Sequence, residues 1–449
     1  MNKIQEVQDL YFGDGCDGCD GCDDDADSGS YCGHGGNAGE KSTNHDTVKF
    51  INQGTYGCVF RPAINCKGNL LKPNFITKIQ SEKANSDKET KIGYKIKKIK
   101  GYSKYFAPIL KTCNISLANI KNDEIKKCDF IDNHTTKIIS NKMKYVGDKT
   151  LLDYFIHILE EKLVTPSIKK NETNSHFSNG LVADKNNFDD DNRPKIIYGR
   201  CNNTYLRISN SSNVQKCIEA IFNCYLHLLE GIELLQENNI VHYDLKENNI
   251  MFDETQDYPI IIDFGLSFET SNLHNSNHQL YKKLDEAFYV YAPDYKTWCF
   301  EIHLICYIIH YIKENELEDT ISISFLNEGI DDIFRENLIF THFRPLANSN
   351  LEGHNETYAQ SMKNFIKQYS DSNLSYRELI DKLLTFSYSW DNYSLAVIFL
   401  YSIYELKLDE TYIMTKLVSL LKQIVFSTPD ARIGIKDTFD KVSDIYDEL

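Results

Sequence analysis

The sequence has no long hydrophobic run. Its most apolar stretch, Trp298 to Ile312, is broken by Glu301, His303 and His310, and is too short and too polar to span a bilayer. The opening Met1-Asn2-Lys3-Ile4-Gln5 leads into no apolar core, so no signal peptide is expected. Positive charge is also in deficit: 49 Lys and Arg against 65 Asp and Glu leave a net charge of −16. That argues against a general nucleic-acid binder and confines any basic groove to a local patch. These absences point to a soluble intracellular protein with no membrane contact and no nucleic-acid partner. The chain of 449 residues, 41 % hydrophobic, is long enough to bury a core without staples.

Apolar residues are nearly absent from Gly13 to Asp46, where Cys16, Cys19 and Cys22 recur every third residue and seven aspartates lie between Asp14 and Asp27. Such a segment cannot bury a core alone, so residues 1–47 are expected to be a disordered acidic tail. Cys16, Cys19, Cys22, Cys32 and His34 would suit zinc, but a low-complexity repeat without ligand is the preferred reading. Interleaved aspartates would raise the thiol pKa values. Nine further cysteines are scattered through the chain, and in a reducing compartment they are expected to be free thiols.

Order is expected from Val48. Val48–Ile51 and Cys58–Phe60 flank a glycine turn and predict a hairpin. Phe75–Ile79 and Ile138–Val146 predict strands. Glu89–Lys100 places Ile92, Ile96 and Ile99 on one helical face, and Asn213–Asn238 is a long amphipathic helix. Strand-rich sequence gives way to helix-rich sequence near residue 150. Residues 164–212 are polar and predict an exposed loop, with Lys195–Tyr198 as one candidate strand. Residues 295–388 contain helical apolar spacing at Trp298–Ile312 and Tyr376–Leu384 and predict a folded insertion.

The stretch Val241-His242-Tyr243-Asp244-Leu245-Lys246-Glu247-Asn248-Asn249-Ile250, followed by Ile262-Asp263-Phe264-Gly265, has the parts needed for phosphoryl transfer. Asp244 would orient and deprotonate a hydroxyl, Lys246 would neutralise charge on the moving phosphoryl group, and Asn249 and Asp263 would hold Mg²⁺. These motifs resemble the catalytic core of eukaryotic-type protein kinases, which implies an α+β, bilobal kinase-like fold. The small β-rich N-lobe would occupy 48–145 and the large helical C-lobe 146–449, with the two insertions inside the latter.

The resemblance extends to further sites. Ile51-Asn52-Gln53-Gly54-Thr55-Tyr56-Gly57-Cys58-Val59 is similar to the glycine-rich loop over the ATP phosphates, with Asn52 where the family has its first glycine. Lys78 would hold the α- and β-phosphates and pair with Glu89. Glu82 is the alternative partner. One turn beyond Glu89 the family has a bulky apolar residue where this chain has Gly93. Met143-Lys144-Tyr145-Val146 is similar to the hinge, with Met143 controlling the back pocket and backbone groups meeting adenine. Val59, Thr77 and Met251 would sandwich the purine. His242 and Phe264 would stack as scaffold. Ala292-Pro293-Asp294 is similar to the Ala-Pro-Glu that ends the activation segment, with Asp294 pairing with Arg432. Asp391, 97 positions later, would brace the catalytic loop.

The resemblance implies an ATP- and Mg²⁺-dependent kinase acting on protein hydroxyls. Lys246 favours serine/threonine over tyrosine specificity. Tyr243 stands where the family commonly has a phosphate-binding arginine, so activity is expected without activation-segment phosphorylation, and substituting Ser267 or Thr270 is expected to change little. The insertions, Tyr243 and the Asn/Ile/Lys-rich composition look most like kinases of large DNA viruses, mimivirus-like in style, which would place the protein in host cytoplasm or virion. The alternatives are a pseudokinase that binds nucleotide without turnover and a small-molecule kinase of related fold. The protein substrate, the regulator and the oligomeric state are not legible.

Overall fold

Alternation of apolar and polar residues builds a five-stranded antiparallel sheet at the start of the folded chain. It consists of β1 (Lys49–Gly54), β2 (Gly57–Arg61), β3 (Phe75–Gln80), β4 (Lys111–Ser116) and β5 (Lys137–Lys144), in the order β1-β2-β3-β5-β4. This computed structural model describes residues 48–54, 57–80, 83–120, 123–131, 135–160, 211–253, 255–273, 284, 286–315, 322–337, 339, 350–370 and 375–449. The acidic Cys-rich segment and nearly all of the 164–212 stretch, with its candidate strand, lie outside them. Side chains alternate between the two faces of a strand. Cys58, Phe60, Ile79, Ile115 and Ile138 share one face and form a core with Ile125 and Cys128. The opposite face carries Val59, Lys78 and Asn141, which are direct register partners across β2, β3 and β5.

Four of the expected free thiols are instead paired, Cys58 with Cys128 and Cys66 with Cys113. Cys217, Cys224, Cys299 and Cys306 are free and buried. The expectation fails in the sheet region because the fold brings β2 against the 123–131 segment and β4 against the loop after β2. Spacing along the chain does not reveal either juxtaposition.

The first helix, α1 (Lys83–Ile96), begins six residues before Glu89 and ends at Ile96. Ile92, Ile96 and Ile99 are all buried. Gly93 has a steric origin: a Cβ there would stand 3.0 Å from the Ile109 carbonyl oxygen and 3.2 Å from its nitrogen. The chain leading into β4 occupies the space a bulky side chain would need. β4 itself escaped the sequence reading. It is an edge strand of mostly polar residues, of which only Ile115 is buried.

The rest is mostly helical. α2 (Leu151–Glu160) and α3 (Ser211–Glu237) precede two small antiparallel pairs, β6 (Ile240–Val241) with β9 (Phe268–Glu269) and β7 (Ile250–Asp253) with β8 (Tyr258–Ile261). Then come α4 (Phe300–Asn315), α5 (Ile323–Glu336), α6 (Asn350–Ser370), α7 (Tyr376–Leu384), α8 (Trp390–Glu405), α9 (Tyr412–Val425) and α10 (Ile435–Tyr446). Helix α7 starts with a capping box made by Ser375 and Glu378. Helix α8 is buried on nearly every face, from Trp390 to Ile403, as expected of a helix at the centre of a helical core. A five-stranded sheet followed by this helical body fits a bilobal kinase fold.

Candidate active site

Strand β3 presents Lys78 on the face away from the sheet's own core. Its ammonium lies 3.0 and 3.2 Å from the two carboxylate oxygens of Glu89 on α1, and 2.7 Å from Asp263 Oδ1. Glu89 is held in turn by Gln80 at 2.7 Å, and Gln80 by Asn141 at 2.6 Å. Asn141 also donates to Ser86 Oγ at 3.0 Å. This buried chain of amides fixes the carboxylate, and no local sequence pattern links Gln80 to Asn141. Burial works to lower the Lys78 pKa, but Glu89 and Asp263 outweigh it and hold the ammonium above its usual value. Burial pushes Glu89 up, with Lys78 opposing. Burial would also raise Asp263, yet Lys78 brings it below the usual carboxylate range. Residue Glu82 lies outside the described residues.

In the hairpin, Asn52 Oδ1 accepts from the Gln53 N–H at 2.8 Å, and Gly54 opposes Gly57. A Cβ on Gly57 would run into the Ile79 carbonyl, so strand β3 requires glycine there. Ile51 sits at a register shift and is half exposed. Gln53 reaches away to Asp129, donating at 2.9 Å and accepting from its N–H at 2.9 Å. Thr55 and Tyr56 lie outside the described residues. Two expected ligand contacts are redirected by strand parity. The Cys58 side chain faces the sheet core, in its disulfide, while Val59 lies on the Lys78 face. Thr77 likewise faces the core side, where its hydroxyl accepts from Ile64 N–H at 2.8 Å. Ile76, two positions from Lys78, takes the cleft side.

Met143 is the register partner of Ile76 and is buried. Tyr145 does not offer its amide to a ligand: that N–H donates to the Asn74 carbonyl at 2.9 Å, and the ring lies under Arg61 at 3.5 Å. Met251, half-buried on β7, packs with Ala107, Val146 and Ile260.

The loop after β6 is held from several sides. Asp391, at the start of α8, accepts from the N–H groups of His242 (2.7 Å) and Tyr243 (3.0 Å). The Tyr243 carbonyl accepts from Trp298 Nε1 at 2.9 Å. These bonds hold Tyr243 at φ 71°, while Asp263 is held at φ 59°. Non-glycine residues seldom adopt this conformation unless their surroundings over-determine it. The Asp244 carboxylate takes Lys246 Nζ at 2.8 Å and Asn249 Nδ2 at 3.1 Å on Oδ2, and the Tyr295 hydroxyl at 2.5 Å on Oδ1. Burial, with Asp244 adding to it, raises the Tyr295 pKa, so its phenol stays a donor. Backbone bonds stitch the two loops together: Ile262 N–H donates to the Asn249 carbonyl, and His242 Nε2 to the Ile262 carbonyl, each at 3.0 Å. The His242 ring lies 4.9 Å from Phe264, which meets Phe106 edge-on at 5.9 Å.

Tyr243 itself is buried among Phe268, Phe288 and Trp298, with ring centroids 5.0 to 5.5 Å away. No guanidinium replaces the absent arginine there among the described residues. Ser267 is buried and donates to the His242 carbonyl at 3.0 Å, so its hydroxyl is structural.

The Asp294–Arg432 pair is corrected. Asp294 is exposed, and Arg432 is bound by Glu301 through two bonds of 2.7 and 3.0 Å, with neither side chain exposed. Glu301 stands seven residues farther on, at the start of α4. In the sequence it reads as an interruption of an apolar run, and that was the available signal: an acid within a buried helix needs a cation.

Residues 168–294 match the family model described as protein kinase domain. That match supports a eukaryotic-type protein kinase. It takes in Asp244, Lys246, Asn249 and Asp263, whereas Lys78, Glu89, Glu301, Asp391 and Arg432 lie beyond it. No curated protein matches the chain. No helix among the described residues is long and apolar enough to cross a membrane.

Proposed function

We propose that this chain is an active serine/threonine protein kinase that transfers the γ-phosphate of ATP to protein hydroxyls without activation-segment phosphorylation. The observation that carries the reading is the placement of Lys78 between Glu89 and Asp263, with the Asp263 loop stitched to the Asp244–Asn249 loop. An ammonium fixed by two carboxylates is positioned to meet phosphate oxygens. Asp244 takes the proton of the acceptor hydroxyl, and Lys246, bonded to it, faces the transferred group.

Asp263 keeps 40 % of its side chain exposed while bound to Lys78. With the Asn249 carboxamide it offers hard oxygen donors. Two such donors suit a metal that keeps water and substrate phosphate as its other ligands, which is the habit of Mg²⁺. When bound, Mg²⁺ neutralises phosphate charge.

Independence from phosphorylation rests on the aromatic burial of Tyr243. Serine/threonine specificity rests on Lys246, and the viral kinship on composition and insertions. The large-lobe insertion beside the acceptor region would make substrate choice unusual. A nucleotide-binding scaffold without turnover is not favoured, since Lys78, Asp244, Asn249 and Asp263 are all present in the sequence. The test is Mg²⁺-dependent transfer of labelled γ-phosphate to a basic protein acceptor, with phosphoamino-acid analysis. Phosphoserine or phosphothreonine should form, and Asp244→Ala should abolish it; equal signal from that variant would sink the enzyme reading. Thr270→Ala should retain activity, and a collapse would remove phosphorylation independence.

A further inference from the structure

Helix α1 carries Glu89, so whatever fixes α1 fixes Lys78. Thr90 meets Thr112, hydroxyl to hydroxyl, at 2.8 Å, and a further attachment of the same helix lies in its last turns. Lys95 Nζ is bonded to Glu269, and Lys91 Nζ lies 3.9 Å from the other oxygen of the same carboxylate. Lys95 is six residues beyond Glu89, roughly 9 Å along the axis. Glu269 belongs to β9, and its ladder partner is Ile240 of β6, the strand that runs into His242 and Asp244. Thr270 N–H adds a bond to the Asn239 carbonyl at 2.9 Å. The Glu269 side chain is 9 % exposed, against 41 % for Lys95 and 67 % for Lys91. A nearly buried carboxylate on a rigid strand therefore draws in two ammonium groups from the sheet region's helix.

We infer that Glu269 is a positioning residue for the transfer reaction: its carboxylate clamps α1 to the strand leading into the catalytic loop, and so holds Glu89 against Lys78. The inference deepens the proposed kinase reading and rests on it. A fixed anion at this place does encoded work that an added phosphate would otherwise do, because it supplies negative charge between α1 and the segment after Asp263. Glu89 and Glu269 thus act on one helix at two points, which restrains its rotation as well as its distance.

The test uses the full chain, treated with phosphatase and checked by mass. Glu269→Gln should lower kcat by about tenfold or more, the scale on which misplaced groups act, and should raise hydrogen exchange across Lys83–Ile96. Lys95→Met, at a partly exposed position, should reproduce both effects and covers the case in which Glu269→Gln fails to fold. Glu269→Lys combined with Lys91→Glu and Lys95→Glu should recover most of the lost activity. Unchanged kcat and exchange in Lys95→Met, or no recovery in the charge-reversed protein, would overturn the clamp. The kinase reading fails differently: the unphosphorylated parent protein would then be inactive, while exchange in α1 would still respond to Lys95→Met.

Discussion

Glu301 and Arg432 form a bidentate ion pair in which neither side chain is exposed. The guanidinium also donates to Ser389 Oγ at 3.0 Å and lies 5.1 Å from the Tyr393 ring. The pair ties the start of α4 to the segment before α10, across the core that α8 occupies. Removing one partner leaves an uncompensated buried charge, which costs about 3–5 kcal/mol. Glu301→Ala should therefore lose stability on that scale in denaturant unfolding. Asp294→Ala, at an exposed position, should stay within about 0.5 kcal/mol of the parent. Equal damage from the two would undo the reassignment of the arginine's partner.

Asp391 gives a second measurable consequence. Burial raises its pKa, with the two backbone donors working in the other direction, so the carboxylate depends on the His242 and Tyr243 N–H groups as much as they depend on it. Asp391→Ala orphans both donors, and each buried orphan costs about 1–3 kcal/mol. The same change releases Tyr243 from its left-handed conformation and lets Asp244 drift. Stability should fall, and at temperatures where the variant is still folded kcat should fall further than the KM for ATP rises. A variant with parental kcat would show that the brace is not needed for the chemistry.

The gathering of Lys246 and Asn249 on Asp244 was legible because the three lie within six positions, in a pattern that phosphoryl transfer would demand. Lys78 and Glu89 were legible for the same reason, since strand and helix follow one another directly. What escaped depends on long-range packing. Counting in twos along β3 from Lys78 turns Thr77 to the core, whereas the core side of Cys58 follows only from the β2–β3 register, in which Val59 opposes Lys78. Tyr295 and Trp298 bind Asp244 and Tyr243 from about 50 residues away, and no local pattern links them. The Glu301–Arg432 pair spans 131 positions. The disulfides join cysteines 70 and 47 positions apart, a pairing that three-dimensional proximity decides and chain spacing does not show.

The two disulfides close loops of 70 and 47 residues, both within the sheet region. On a chain-entropy account, each restrains the unfolded chain by about 4 kcal/mol, less when nested as these are. Reduction should lower the melting temperature of protein purified without reductant, and Cys66→Ser with Cys113→Ser should reproduce part of the loss. Peptide mapping under non-reducing conditions should recover the Cys58–Cys128 and Cys66–Cys113 linked fragments. Four alkylatable thiols in their place would remove the stabilisation.

His303 provides the pH dependence. It lies on α4, is 1 % exposed, and Nε2 meets Asn337 Nδ2 at 3.1 Å. The amide donates, so this nitrogen is an acceptor and the ring is neutral. Burial pulls its pKa from 6.5 down to about 4, against backbone carbonyls at Tyr295 and Trp298 that favour the charged form. In the unfolded chain the ring protonates near its ordinary value, so the unfolded state binds the extra proton first as pH falls. The associated stability is fully present above about pH 6.5 and declines through the window down to about pH 4, the total loss reaching about 3 kcal/mol once both states are protonated. Trp298 is 5.9 Å away and holds the Tyr243 carbonyl, so acid should loosen the catalytic loop along with the fold. Melting temperature measured from pH 7.5 to 4.5 should fall more steeply in the parent than in His303→Gln, which keeps a neutral polar group without a titrating proton. Parallel curves would show that His303 does not set the acid limit.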